Sequence, residues 1–307
     1  MIYSEFQNNP ERLNQWVKDC PSRIVGNRQN IQVIDRMYYE ENGGGNVTCE
    51  ILQYDRLIGH TNMSSATSDW YMRQMGMKCR QINFIINNAG VKIEQGAMSY
   101  FQGPLEMTAG VNLGNALGRM FRGKLTGEKM SFPEYTGSGL LTLEPSFKFF
   151  ILAQLAPGET IVCDKGMFYC ATMGVKIEPY LINNLSGAML GGEGLLQTAL
   201  TGPGMVVLES PVPMPEINIM HLNNDILRVD GNFALLRTGN IQMTVERSAK
   251  TIMGSAVSGE GLVNVFRGTG DIWIAPSIKI YEALALARMR GGQITAVDMN
   301  TSTGNAR

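Results

Sequence analysis

The sequence predicts an all-β protein built from three repeated β units, with a few short peripheral helices. The first observation behind this is a phrase that recurs at Gly127-Glu128-Lys129-Met130, Gly192-Glu193-Gly194-Leu195 and Gly259-Glu260-Gly261-Leu262. The copies start 65 and 67 residues apart, and a near-constant period marks a repeated structural unit. The second is the common sequel: an apolar strand, a glycine turn (Gly137-Ser138-Gly139, Gly202-Pro203-Gly204, Gly268-Thr269-Gly270) and a final apolar strand. The third is composition. Charged residues are 17% against a usual ~25%, and there are 35 glycines, so tight turns are many and solvated helical surface is small. A chain of 307 residues has room for two average domains or one large all-β domain, and the repeat favours the second.

Residues 1–76 stand outside the repeat and read as an extension packed on the core. Pro10 near a helix start, with Leu13, Trp16 and Val17 on one face, predicts a short docked helix over residues 9–17. Ile31 to Tyr39 and Val47 to Leu57 read as a hairpin, because Gly43-Gly44-Gly45 supplies the positive φ values of a reversal. Ser68 to Met75 reads as one or two helical turns whose Trp70, Met72 and Met75 fill the core.

The repeat domain spans residues 77–279, divided as 77–145, 146–211 and 212–279. Each copy opens with an apolar strand (Ile82 to Ile86, Phe147 to Leu155, Ile217 to Leu222). Turn formers follow: Asn87-Asn88-Ala89-Gly90, Ala156-Pro157-Gly158 and Asn223-Asn224-Asp225. A second strand comes next (Val91 to Glu94, Thr160 to Cys163, Ile226 to Val229), then Gly96, Gly166 or Gly231, then a third strand. The arms after it differ. The first, Met107 to Thr126, has Leu113, Leu117, Met120 and Phe121 at helical spacing and predicts an amphipathic helix, whereas the other two read as extended. The closing strands Leu140 to Leu143, Met205 to Leu208 and Ile272 to Ile274 are continuous apolar runs, the pattern of burial on both faces. Residues 280–307 form a C-terminal helix and polar tail: Ile280, Leu284 and Ala287 are spaced for a helix that Gly291-Gly292 ends.

Several function classes lose support at once. A net charge of −1 and a pI near 6.2 give no global drive toward nucleic acid or an anionic membrane. Cys20, Cys49, Cys79, Cys163 and Cys170 never form a close Cys-x-x-Cys pair and read as free thiols. No apolar run reaches the ~18 residues of a membrane span, and Glu5, Glu11 and Asp19 fall where mitochondrial presequences avoid acids. The expected compartment is the cytoplasm. The two histidines, His60 and His221, come without a nucleophile elbow or a zinc-protease helix, so no catalytic residue is assigned. The glycine phrases lead into strands rather than helices, which makes them turns and not phosphate loops.

Two residue sets remain as candidates. Glu128, Glu193 and Glu260 occupy the same place in each copy, and a threefold arrangement would bring three carboxylates to one cation. The plainer reading, that each accepts backbone N–H bonds beside its own glycine turn, is preferred, so no metal or cofactor is assigned. Arg119, Arg122 and Lys124, with Lys129 nearby, flank an apolar face suited to an anionic membrane surface or a partner helix.

The run Glu94-Gln95-Gly96-Ala97-Met98, the segment Arg122 to Glu128, Gly191-Gly192-Glu193-Gly194-Leu195 with Thr201-Gly202-Pro203-Gly204, and Ser258-Gly259-Glu260-Gly261-Leu262 occur together and in order. In these the chain resembles the altered-inheritance-of-mitochondria protein 24 family, also called domain of unknown function 124, over about residues 78–276. The resemblance implies three repeats like those of the tryptophan RNA-binding attenuator protein around a pseudo-threefold axis, and an activity that is unknown. Fungal members are associated with the mitochondrial inner membrane, and bacterial members are mostly uncharacterised cytoplasmic proteins; without a presequence this chain resembles the bacterial kind. RNA binding, which the analogy suggests, is disfavoured because Lys129 is replaced by Gly194 and Gly261 in the other copies. No contact with DNA is expected. The expected function is a non-enzymatic, self-associating scaffold that meets an as yet unidentified protein partner, with a membrane-peripheral organiser as the alternative.

Overall fold

Two β-sheets carry the chain in the computed structural model, which describes residues 30–109, 132–182, 195–230, 233–247 and 262–289. The chain packs as two units. One comprises Met1–Pro157, Phe168–Lys176 and Gly202–Glu209, and the other Gly158–Met167, Ile177–Thr201 and Ser210–Arg307.

In the first unit, β1 (Ile31–Glu40) and β2 (Asn46–Tyr54) form the expected hairpin, with Gly43 and Gly44 at φ 133° and 85°. Helix α1 (Met63–Gln74) follows a loop and starts a full turn before the sequence pattern suggested, because Asn62 caps it by accepting the Ser65 N–H at 2.9 Å. Next comes β3 (Arg80–Ile93), a single strand where a strand, a turn and a second strand were expected. Asn88 takes φ 47°, but it inserts a bulge between Ile86 and Ala89 instead of reversing the chain. The bulge lets one strand pair with β2 before it and with β9 (Phe168–Thr172) after it. Strands β4 (Met98–Gln102) and β5 (Leu105–Ala109) share one side of β6 (Pro133–Leu143), whose other side holds β3. Met107 to Ala109 therefore lie in a strand and not in the helix expected to begin there; residues 110–131 lie outside the described residues. The sheet is completed by β12 (Gly204–Ser210) and β7 (Phe149–Leu155).

The core of this unit collects Phe84, Ile82, Ile93, Leu141, Leu143 and Met205, each at most 1% exposed. Full burial of such side chains contributes about 1.5–3 kcal/mol apiece. Every residue of β12 is buried, as its continuous apolar run predicted.

The second unit holds β8 (Thr160–Asp164), β10 (Lys176–Ile182), β11 (Leu195–Thr201), β13 (Asn218–Asp230), β14 (Ala234–Thr238), β15 (Asn240–Arg247) and β16 (Leu262–Ile274). Its architecture around β16 resembles that around β6: β13 lies on one side, and β14 and β15 share the other. β13 is again one bulged strand, with Asn224 at φ 52° and the bulge between Leu222 and Asp225. Leu222, Val229, Met243, Phe266 and Ile272 form the core. Helix α2 (Ile278–Met289) ends the described chain where the Ile280/Leu284/Ala287 spacing put a helix.

Residues 146–211 differ from the flanking stretches at their prolines. Where β3 and β13 bend and continue, the chain stops between β7 and β8 at Ala156-Pro157-Gly158, since Pro157 has no N–H for a ladder and Gly158 takes φ 79°. It stops again between β11 and β12, where Gly202-Pro203 is cis. At both breaks the strand before and the strand after belong to different sheets.

Candidate functional site

All the side chains singled out from the sequence, Glu128, Glu193, Glu260, Arg119, Arg122 and Lys124, lie outside the described residues. The structure instead brings together three polar groups and several apolar surfaces, none of which a local motif marks.

One polar group is a ladder. Arg36, Glu50, Asn83 and Thr142 sit opposite one another across β1, β2, β3 and β6. Glu50 is fully buried; its Oε1 accepts from Arg36 Nε at 3.0 Å and Nη2 at 2.6 Å, and its Oε2 accepts from Asn83 Nδ2 at 3.1 Å. Thr142 Oγ1 donates to Asn83 Oδ1 at 2.9 Å. With its oxygens satisfied, Glu50 does the work of a register pin: a one-residue slip of any strand would strand a buried charge.

The second group turns around α1. Asp69 is buried on the inward face of the helix, and its Oδ2 meets Arg73 Nε at 2.9 Å and His60 Nε2 at 3.1 Å. The Asp69–Arg73 contact is an ion pair without hydrogen-bond alignment, since all three atoms are buried and none has an aligned partner. Asp69 and Arg73 also line an open cleft with Arg56, Lys78, Cys79 and Phe147, with a cavity volume of about 10 Å³. Ligand pockets usually run to about 300–1,000 Å³, so this cleft is small for an organic substrate.

The third group lies in the second unit. Asp164 and Gln197 face each other across β8 and β11, with Gln197 Nε2 donating to Asp164 Oδ1 at 2.8 Å. Gln197 Oε1 accepts from Arg237 Nη1 at 2.6 Å, so one amide bridges a carboxylate and a guanidinium. Arg237 is 3% exposed, lies over the Tyr180 ring at 5.0 Å, and leaves its Nη2 without a hydrogen bond. Burial pushes the Asp164 carboxyl up to about 6, against the opposing pull of Gln197 and Arg237, and depresses the Arg237 guanidinium.

Little in these groups suits nucleophilic chemistry. The described cysteines Cys49, Cys79, Cys163 and Cys170 are buried free thiols, and burial pushes Cys163 up to about 12, which keeps the sulfur protonated at neutral pH. His221 is exposed and its Nδ1 pairs with Asp271 Oδ1 at 2.6 Å, in register on β13 and β16. Among the described residues no cluster of three or more His, Cys, Asp and Glu side chains could hold a metal. No described helix is long and apolar enough to cross a membrane.

Large apolar side chains are exposed on both helices and on several strands, among them β1, β4, β10 and β13. Trp70 and Met75, expected in the core, are exposed on α1 together with Met63 and Tyr71. The Asp69–Arg73 pair occupies the inward face, and with 3.6 residues per turn that leaves the aromatic residues facing out. On α2, Ile278 and Ala283 are buried while Ile280, Tyr281 and Leu284 are exposed. That helix is tied down by polar contacts: Lys279 Nζ donates to Asp230 Oδ2 at 2.8 Å and lies 4.3 Å from the Phe233 ring, and Tyr281 Oη donates to Glu216 Oε1 at 2.8 Å. β13, at the edge of its sheet, exposes Ile219, Met220 and Ile226.

A fold of bulged, paired strands can be compared with known families. The family described as mitochondrial biogenesis AIM24 matches residues 77–277, close to the span that the sequence motifs marked out. The chain belongs to this AIM24 family. An uncharacterised protein of Streptococcus pyogenes is 25% identical over 229 residues, covering 70% of this chain and 90% of the relative. A Streptococcus pyogenes protein solved by X-ray crystallography is similar with a TM-score of 0.51 and 22% identity, over 69% of this chain and 94% of that one. The second likeness speaks for the fold alone. The family match leaves α1 and the β1–β2 hairpin outside it, so the cleft joins AIM24 residues Lys78, Cys79 and Phe147 to residues of the added segment.

Proposed function

We propose that this AIM24-family chain is a non-enzymatic cytoplasmic scaffold that acts through protein–protein contacts and associates with copies of itself. The observation that carries the reading is α2. A surface helix of a stable monomer buries its apolar stripe and shows polar residues, whereas a helix apolar on both sides belongs in an interior. α2 buries Ile278 and Ala283 on one side and presents Ile280 and Leu284, one turn apart, with Tyr281 on the other. The contacts of Lys279 and Tyr281 hold the helix in place, which presents that stripe in a fixed orientation to a partner.

The scaffold reading includes three β units of one design. Its support is local: φ is positive at Asn88, Gly158 and Asn224 after the opening strands, and at Gly137, Gly204 and Gly268 in the closing segments. A crystal structure in which residues 77–145, 146–211 and 212–279 failed to superpose would overturn that part.

Light scattering on the purified chain at tens of micromolar tests the self-association. A species larger than one chain is expected, and a strict monomer overturns it. For the partner contact, Ile280→Ser/Leu284→Ser should abolish co-purification of whatever protein the unaltered chain retains from native lysate; an unchanged set of retained proteins removes α2 from the reading.

A further inference from the structure

Helix α1 is inside out. Its inward face carries the Asp69–Arg73 ion pair, and its outward face carries Met63, Thr67, Trp70, Tyr71 and Met75. Met63 is 82% exposed, Tyr71 61%, Trp70 52% and Met75 81%. Side chains of this size present roughly 150–250 Å² each when fully open. Four of them at these exposures leave on the order of 550 Å², the upper end of the ~300–600 Å² of an ordinary monomer's largest apolar patch. That is roughly two thirds of the ~800 Å² that one partner contributes to a standard interface.

We propose that two copies of this chain pair through the outward faces of their α1 helices, antiparallel about a two-fold axis. The proposal rests on the self-association reading above and names its surface. The pattern of the face selects this occupant. Met63, Thr67, Tyr71 and Met75 are spaced four apart and form one continuous ridge of the helix, the kind that packs into the groove of a like helix. The ridge is symmetric about the level of Asp69: Met63 and Met75 lie six residues to either side, and Thr67 and Tyr71 two. An antiparallel copy thus sets Met63 against the partner's Met75 at both ends, with Trp70 and Tyr71 at the centre. That is the self-complementarity a two-fold interface requires. Trp70 and Tyr71 already meet edge to face with centroids 5.0 Å apart, so the central anchors are ordered before a partner arrives.

Charge separates this occupant from a membrane. The outward residues Met63, Ser64, Thr67, Trp70, Tyr71, Gln74 and Met75 are all uncharged, and Arg73 is committed to Asp69. An interfacial helix on anionic lipid carries Lys and Arg along its polar face, whereas the polar face of α1 is turned into the protein around a buried carboxylate.

Sedimentation equilibrium on the full chain, with and without Trp70→Ser/Tyr71→Ser, is the test. Both positions are exposed, so the variant should melt as the unaltered chain does. A dimer whose dissociation constant weakens by at least about tenfold in the variant is expected, because buried aromatic residues anchor such interfaces. A second variant checks geometry: Met63→Cys/Met75→Cys should give a covalent dimer on mild oxidation, while neither single substitution does. An unaltered chain that stays monomeric overturns both the self-association reading and this surface. An oligomer that Trp70→Ser/Tyr71→Ser leaves intact, or a double-cysteine chain that does not cross-link, overturns the α1 surface and leaves self-association standing. A monomer that co-sediments with phosphatidylcholine/phosphatidylserine vesicles only while Trp70 and Tyr71 are present replaces the second copy with a lipid surface.

Discussion

Asp164 faces a buried cation that it reaches only through Gln197, and this indirect contact governs how its titration affects stability. Its carboxyl lies at about 6 in the fold, against 3.8 for the free side chain, so the folded chain holds a proton over a pH range where the unfolded chain has released it. The stability this group contributes is therefore complete below about pH 4 and lost as pH rises through about 6. Asp164→Asn should remove that fall, and the neutral amide should leave the protein more stable than the unaltered chain at pH 7 by up to about 3 kcal/mol. Urea titrations at pH 4.5 and pH 7 check this; equal pH dependence in both proteins contradicts it. Glu50, by contrast, is held directly, by Arg36 and Asn83. Glu50→Ala leaves a cation without its buried partner and should cost about 3–5 kcal/mol in denaturant melts. A loss under about 1 kcal/mol would mean that the ladder does not hold the register. Nothing in the sequence marks Arg36, Glu50, Asn83 and Thr142 as a set, since they lie on four strands and meet only through pairing.

Among the elements, the instructive cases are places where a turn pattern gave a bulge. Asn87-Asn88-Ala89-Gly90 and Asn223-Asn224-Asp225 have turn composition, but the strands on both sides find partners along one sheet, and each asparagine supplies a single left-handed residue in a continuing strand. The chain breaks instead at Pro157 and Pro203, which cannot donate to a ladder. The closing strands depend on glycine in the same places. At φ 126° and 136°, Gly137 and Gly268 pass so close to the carbonyls of Pro104 and Asn240 that a Cβ would collide with backbone. Gly268→Ala should destabilise the chain by about 2–4 kcal/mol through left-handed strain and that collision. Gly96→Ala, also at positive φ but in open space, should cost only about 1–2 kcal/mol. Equal losses at the two sites in thermal melts would show that the close approach carries no energy. Helix α1 was legible as a helix but not in its facing, since Trp70, Met72 and Met75 look like core residues until Asp69 and Arg73 are seen to occupy the inward side.

At the scale of the whole molecule, a net charge of −1 and the absence of a basic set shared among the copies set the expectation for nucleic acid. Affinity for phosphate backbones grows with the number of cations that neutralise them. Filter binding of single-stranded RNA at low salt should give no saturable complex, and saturation that falls steeply with added salt would reverse that expectation. The sequence by itself determined the β class, the family span, the C-terminal helix and the fully buried closing strand β12, because period, glycine punctuation and apolar runs are properties of neighbouring residues. The tertiary structure decided which turns became bulges, which strands paired, which face of α1 looked outward, and where buried charges met. Those outcomes depend on contacts between residues far apart in the chain: Glu50 is buried because Arg36 and Asn83 lie beside it, and Trp70 is exposed because Asp69 is not.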